Sequence, residues 1–331
     1  SCNAHGRGLA MRPIIDDVDS FTLIDGNGGF RTCSRSENGE LFRLAIGGYG
    51  LFGVIYSVRL RLSRRRKIRR AVEVRATKGL AGAFESRIGE GYLYGDFHLD
   101  TDERSPNFLR RGVLCCDRPV SDEGSIPVDR PELSNEERTS LLALGHTEKA
   151  RAFDLQSRFH LSTNGRIYWS DTSQLSFQPE GYHRSLDQQG SEMMTEVCVP
   201  RERLDDFLGE AADRLRTERA NVISASIRLI ERDRQSFLAW AKESYACIAV
   251  DLHVDHTPAG VEHAQQSSRL LIDFARRRGG SYFLAYHRWA TREQALDCHP
   301  KLPDFLRLKL RYDPNERFES EWYRHYRSLV V

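Results

Sequence analysis

Four glycines fall within the ten residues "IGGYGLFGVI" (Ile46 to Ile55), directly ahead of an alternating run, "YSVRLRL", that reads as a strand. So much glycine does not belong inside a helix or a regular strand, because glycine loses the most backbone freedom on ordering and packs no side chain. The run therefore marks a connection where main chain makes a tight turn or lies close against something. Just upstream, "SENGELFRLAIGG" offers Ser36 as an N-cap and Leu41, Leu44 and Ala45 on one helical face, with Gly47 and Gly48 to end the helix. A helix C-cap with a tight turn, needing no ligand, and a stretch of bare backbone laid against a flat ligand edge both satisfy this pattern.

The remaining sequence alternates short strands with amphipathic helices. "SFTLIDGNGGFRTCS" reads as a hairpin around a Gly/Asn turn. Strands are predicted in "AVEVRA", "GYLYGDFHLD", "GVLCCDRPV", "EMMTEVCVP", "VISASIRLIE", "YACIAVDLHVD" and "SYFLAYHRW". Helices are predicted in "GLAGAFESRIGEG", around "SFLAWAKES", and in "VEHAQQSSRLLIDFARRR", which stops at Gly279 and Gly280. In "RLDDFLGEAADRLRTER", Leu204, Phe207, Leu208, Ala211 and Leu215 form one apolar stripe. Ser121 to about Arg138 is polar and turn-rich, which suggests a surface excursion. This order predicts an α+β fold, an antiparallel sheet covered on one side by helices.

With 331 residues the chain calls for two domains, or one with a large insertion. The 49 basic and 47 acidic side chains leave a formal charge of +2, too weak a field to argue for nucleic acid. The run "SRRRKIRR" (Ser63 to Arg70) has no accompanying aromatics and reads as a solvated strand end or an interdomain hinge. Seven cysteines, an odd number with no CxxC spacing, argue for reduced thiols in a cytoplasmic setting and against a zinc or disulfide framework. No apolar run approaches the roughly 18 residues of a membrane span, so none is expected. The chain opens at Ser1 in the middle of what reads as a folded motif, so further sequence is expected upstream.

Two separated motifs carry a resemblance. "NAHGRG" (Asn3 to Gly8), followed by "DDVDSFTLIDGNGGFRTCSRSENGELFRLAIGGYGLFGVI", and the tail "LRYDPNERFESEWYRHYR" (Leu310 to Arg327) together resemble the vanillyl-alcohol oxidase, or PCMH-type, FAD-linked oxidoreductases. The middle region is most similar to the sugar- and polyol-oxidising branch. The resemblance implies the C-terminal half of an FAD-binding domain at 1–70, a substrate (cap) domain at 71–297, and a segment at 298–331 that returns to the FAD domain. It implies FAD as cofactor, held by Asn3, His5, Gly6, Gly47, Gly48, Gly50, Gly53, Val54 and Ile55, the last two against the adenine. The family's pyrophosphate loop lies upstream of the position matched by Ser1. The implied activity is oxidation of a C–OH group in a sugar, polyol or related polar alcohol, with hydride passing to flavin N5 and an electron acceptor that stays open. The alternative is a non-catalytic remnant that keeps a substrate-binding domain.

Oxidising a carbinol needs a group to take the hydroxyl proton and polar groups to hold the substrate. His5 matches a position beside the isoalloxazine. Tyr286 matches a position where members of the branch carry lysine; its neighbour His287 would point to the opposite strand face, so one of the two reaches the pocket. Glu196, in a core strand with Val197 and Val199, matches a polar substrate-facing position, and Arg228 a cationic one; a structural Glu196–Arg228 ion pair is the plainer reading. Trp169 and Gln174 are candidates for a pocket wall. Asp251, His253 and Asp255 alternate on one strand face beside His256, which reads as an exposed sheet face, and no metal is expected.

Overall fold

The computed structural model describes residues 2–121, 126, 133–171 and 190–330. A small antiparallel sheet forms first, from β1 (Val18–Ile24), β2 (Phe30–Ser34) and β3 (Val54–Leu60), in the order β2-β1-β3. The β1–β2 turn is fixed by Asp25, whose Oδ1 accepts from the N–H groups of Asn27 and Gly29, an Asx turn in which Gly28 takes a φ of 80°. Helix α1 (Gly39–Ala45) buries Leu41, Phe42, Leu44 and Ala45 against this sheet. Its N-cap position is occupied by Asn38 in the left-handed region, not by Ser36.

The larger sheet has eight strands, with β4 (Lys67–Ala76), β5 (Tyr94–Leu99), β6 (Arg111–Pro119), β7 (Ile167–Trp169), β8 (Gly190–Pro200), β9 (Val222–Ile230), β10 (Tyr245–Asp255) and β11 (Ser281–Tyr282) ordered β11-β8-β10-β9-β5-β6-β4-β7. Every pairing is antiparallel. The alternation of each strand gives the sheet two unlike faces. Val197, Val199, Ile227, Leu229, Ile248 and Val250 are all buried and lie on the back face. They pack beneath α2 (Leu80–Gly89), α5 (Leu204–Thr217) and α6 (Pro258–Arg276). Every member of the predicted α5 stripe is buried there. The α+β class is thus present, but the cover is not one-sided: helices also lie on the front face.

The front face takes a different cover. Helix α4 (Lys149–Ser162) leans on it at β4 and β6, where Phe153 joins Val72, Val113 and Cys115, and α3 (Asn135–Thr147) packs on α4 and reaches β9. Their sequences carry too weak an apolar stripe to announce them. Ser134 caps α3 with a capping box to Glu137. The predicted excursion from Ser121 therefore ends in a helix, residues 122–125 and 127–132 lying outside the described ones. The chain finishes with α7 (Arg292–Cys298), α8 (Leu302–Tyr312) and α9 (Glu321–Val330). Among the described residues no helix is long and apolar enough to cross a membrane.

Three local expectations are corrected. No helix forms around "SFLAWAKES"; the segment is irregular, held by the burial of Trp240 and the bond from its Nε1 to the Asn3 carbonyl at 3.0 Å. The basic run is not wholly a strand end, since β4 already begins at Lys67 and Arg70 points inward. The last predicted strand stops after Tyr282, and the chain then turns through Tyr286 and His287.

Candidate active site

The front face of the large sheet is polar where the back face is apolar. At its centre the side chains of His5 and Glu196 are each only 5% exposed, and His5 Nε2 lies 2.7 Å from Glu196 Oε1. His5 reaches this place because the N-terminal segment runs alongside β5: Gly95 N–H donates to the Arg7 carbonyl and Leu9 N–H to that of Leu93. Its ring packs 5.2 Å from Trp240. Trp240 leads on through Phe283 at 5.1 Å to Tyr286 at a further 5.5 Å. Tyr286 stands near enough to interact with Glu196, so one carboxylate lies next to both an imidazole and a phenol from opposite ends of the chain. Burial and the Glu196 carboxylate push the Tyr286 phenol above its ordinary value, with Arg228 opposing.

Arg228 lies on the same face, since its Cα partner in β10 is Cys247, itself paired with Cys198 two residues along from Glu196. The anticipated Glu196–Arg228 ion pair is not formed: the partner of Glu196 is His5. Arg228 Nε and His5 Nδ1 are both buried without a hydrogen-bond partner among the described residues. Buried polar atoms left like this beside a carboxylate are uncommon. Beneath it, the thiols of Cys198 and Cys247 sit 3.1 Å apart, both free.

A second polar network on this face was not anticipated. Arg7 Nε lies 2.7 Å from Asp96, and Arg70 Nε lies 3.0 Å from Asp117, whose side chain is fully buried. Tyr168 donates its hydroxyl to Asp117. Burial alone would raise the Asp96 carboxyl, but Arg7 and then His98 outweigh it and hold it well below the usual carboxylate range. The signal was present in the alternation of "GYLYGDFHLD": Tyr94, Asp96 and His98 share one strand face among buried apolar neighbours.

The glycine loop is built first for the protein's own packing. A Cβ on Gly48 would meet the Leu44 carbonyl at 2.2 Å, and one on Gly53, where φ is 144°, would meet the Ile24 carbonyl at 2.5 Å. Gly47 faces Asn3, the added Cβ standing 3.4 Å from that of the asparagine. Asn3 is buried, donating to Asp233 at 2.8 Å and accepting from the Ile15 N–H. The loop's open edge is Gly50, with φ of 80° and nothing within 4 Å of a Cβ, together with exposed Val54 and Ile55. Gly6 is equally open.

The C-terminal tail closes on the same region. Tyr49, inside the loop, stacks on Trp322 at 4.3 Å, and Trp322 Nε1 donates to the Leu284 carbonyl. Asp313 receives the buried Lys309 ammonium at 2.8 Å and the main-chain N–H groups of Arg317 and Phe318. The structure thus brings together loop, N-terminal turn and tail.

Other candidates are placed elsewhere. His287 turns to the back of the sheet, its Nε2 2.9 Å from the Thr195 hydroxyl, and burial lowers it to about 4. Trp169 lies in β7, at the far edge of the sheet from β8, under Arg65 at 4.4 Å; it is Tyr168 that joins the front-face network. Gln174 lies outside the described residues.

No family model matches the chain. Among curated proteins it is 44% identical over 61 residues, 18% of this chain and 13% of the other, to an uncharacterized oxidoreductase of the fasciation locus of Rhodococcoides fascians. It is 29% identical over 142 residues to cytokinin dehydrogenase 4 of Oryza sativa subsp. japonica, covering 42% of this chain and 22% of that one. To cytokinin dehydrogenase 9 of the same plant it is 40% identical over 62 residues, 18% of this chain and 12% of that one. The match spans less than a quarter of the length of each relative. Over those stretches the chain is similar to proteins named as an oxidoreductase and as dehydrogenases.

Proposed function

We propose that this chain carries the substrate face of an FAD-linked oxidoreductase acting on a small polar molecule, a sugar, polyol or related alcohol. The observation that carries the reading is the single carboxylate of Glu196 next to both His5 and Tyr286 on the polar face of the sheet. When bound, FAD supplies the acceptor for a hydride. The groups that fit it are Gly6 and Gly50, where a Cβ would meet nothing within 4 Å, and the exposed side chains of Val54 and Ile55. Asn3, Gly47, Gly48 and Gly53 support this loop from behind.

The chemistry of the cluster divides the roles. A phenol pushed above its ordinary value stays protonated at neutral pH, so Tyr286 donates a hydrogen bond and orients. The proton of a substrate hydroxyl then falls to the His5–Glu196 pair, in which His5 Nε2–H donates to the carboxylate and Nδ1 keeps a free lone pair. Arg228 offers an unpartnered donor to a substrate oxygen. His287, buried behind the sheet, takes no part.

A cytokinin is the second substrate reading, favoured by the names of two of the relatives. Both readings are tested by titrating the chain with FAD, following quenching of flavin fluorescence, and then adding polyols, aldoses or cytokinins anaerobically. Bleaching of the visible flavin band by an alcohol supports the first reading and bleaching by a cytokinin alone the second. Failure to bind FAD, or a flavin that no compound reduces, overturns both in favour of a non-catalytic binding module.

A further inference from the structure

On the same sheet face as Glu196, but four residues towards the N-terminal end of β8 and so roughly 13 Å away, His146, Glu192 and His253 meet from three different elements. His146 ends α3, Glu192 lies on β8 and His253 on β10. His146 Nε2 stands 3.2 Å from Glu192 Oε1, and His253 Nδ1 stands 3.6 Å from the same oxygen. One ligand atom from each residue falls within 4.8 Å of the other two. The two imidazole side chains are 1% and 6% exposed.

The tautomers make this arrangement informative. His253 Nε2 lies 3.3 Å from Asp255 Oδ1, an ion-pair distance at which the carboxylate favours a ring proton on Nε2. The lone pair of His253 Nδ1 is thereby directed to the neighbourhood of a second carboxylate oxygen, and this atom is buried with no hydrogen-bond partner among the described residues. An acceptor facing an acceptor at a buried atom is unfavourable unless a positive charge, a second ring proton or a metal ion, lies between them. Two nitrogens and an oxygen at tetrahedral positions around zinc, with bonds of about 2.0–2.2 Å, stand roughly 3.3 Å apart. The observed 3.2 and 3.6 Å bracket that edge. Asp255 stands beside the other nitrogen of His253, where metal-binding histidines commonly have an outer carboxylate. Gly190 makes room for the ring, since a Cβ there would sit 2.3 Å from His253 Cε1.

We infer that His146, Glu192 and His253 form a binding site for a divalent transition metal of the zinc class, with Asp255 as the outer support of His253. The ion ties the end of α3 to two strands of the sheet and leaves a fourth position for water or another ligand. This inference is independent of the proposed oxidation.

The test uses the full chain, stripped with a chelator and titrated with Zn²⁺ by calorimetry and with Co²⁺ by visible absorption. One equivalent of Zn²⁺ is expected, and a Co²⁺ spectrum with tetrahedral d–d bands but no thiolate charge-transfer band. That last feature separates this site from the His98, Cys115 and His160 group, which also brings ligand atoms together. His253→Ala is expected to weaken binding at least a hundredfold, and Asp255→Asn, an exposed position, about tenfold. Near-UV circular dichroism of each variant confirms that the fold is kept, and the exposed variant serves if His253→Ala does not fold. The inference is overturned by absence of stoichiometric binding, by a thiolate band, or by affinity unchanged in His253→Ala or Asp255→Asn.

Discussion

Asp313→Ala tests how the C-terminal tail is held. Lys309 and Asp313 are 0% and 2% exposed, and their charged atoms meet at 2.8 Å. Asp313 also accepts two main-chain N–H groups, while the Lys309 ammonium lies 4.8 Å from the centre of the Tyr323 ring. Removing the carboxylate strands a buried ammonium, which costs about 4 kcal/mol. Lys309→Met leaves a buried carboxylate that still has its two main-chain donors, and about 2 kcal/mol is expected. The double variant loses both charges and leaves only the two N–H groups short of an acceptor, so about 3 kcal/mol is expected, roughly 3 kcal/mol less than the sum of the single variants. Urea unfolding followed by tryptophan emission is a suitable assay, because Trp322 stacks on Tyr49 within this tail. Burial opposes ionisation of Asp313, but Lys309 and the N–H groups of Phe318 and Arg317 outweigh it and lower the carboxyl below its ordinary value. Its contribution is therefore complete above the unfolded value of about 3.9 and is lost as pH falls through the lower folded value. A cost under about 1 kcal/mol for Asp313→Ala, or additive single variants, would refute the reasoning.

Three further outcomes follow from the same geometry. His287 is held neutral by burial at about 4, so its share of stability is present above an unfolded value of about 6.5 and is lost as pH falls towards the folded value; His287→Asn should flatten the stability–pH curve over that interval, and an unchanged slope would contradict this. Gly53→Ala places a Cβ 2.5 Å from the Ile24 carbonyl and should cost about 3 kcal/mol or more, whereas Gly50→Ala, strained in φ but unobstructed, should cost about 1 kcal/mol; equal shifts in thermal midpoint would count against the packing role of Gly53. Ultraviolet difference titration against Tyr286→Phe should show the Tyr286 phenol ionising above its ordinary value, and Glu196→Gln should bring it down.

The layering of this protein was legible where a pattern is local. The β1–β2 hairpin, the α5 stripe and the alternation of β8, β9 and β10 all follow from periods of two and about 3.6 residues. Elements defined by distant packing were not legible. The segment around Trp240 has helical composition but stays irregular, because Trp240 is anchored to the Asn3 carbonyl, far away in sequence. The strand expected through His287 ends early, so Tyr286 and His287 reach opposite sides of the sheet through a turn and not through strand alternation. The candidate site shows the same division. Residue type and strand phase suffice to put Glu196 and Arg228 on one face. Nothing local says that Glu196 pairs with His5 and not with Arg228, because that choice depends on where the N-terminal segment lies against β5. The Arg7–Asp96–Asp117–Arg70 network was missed for the same reason: each charge looked like an isolated polar residue until the strands were laid side by side.

The central claim is that reaction occurs where Glu196 joins His5 and Tyr286, and single-turnover reduction of bound flavin by the accepted substrate tests it most directly. With Glu196→Gln, which keeps the side chain's shape, the reduction rate constant should fall about a hundredfold or more while FAD affinity stays unchanged. A rate constant equal to that of the unsubstituted chain would contradict the account.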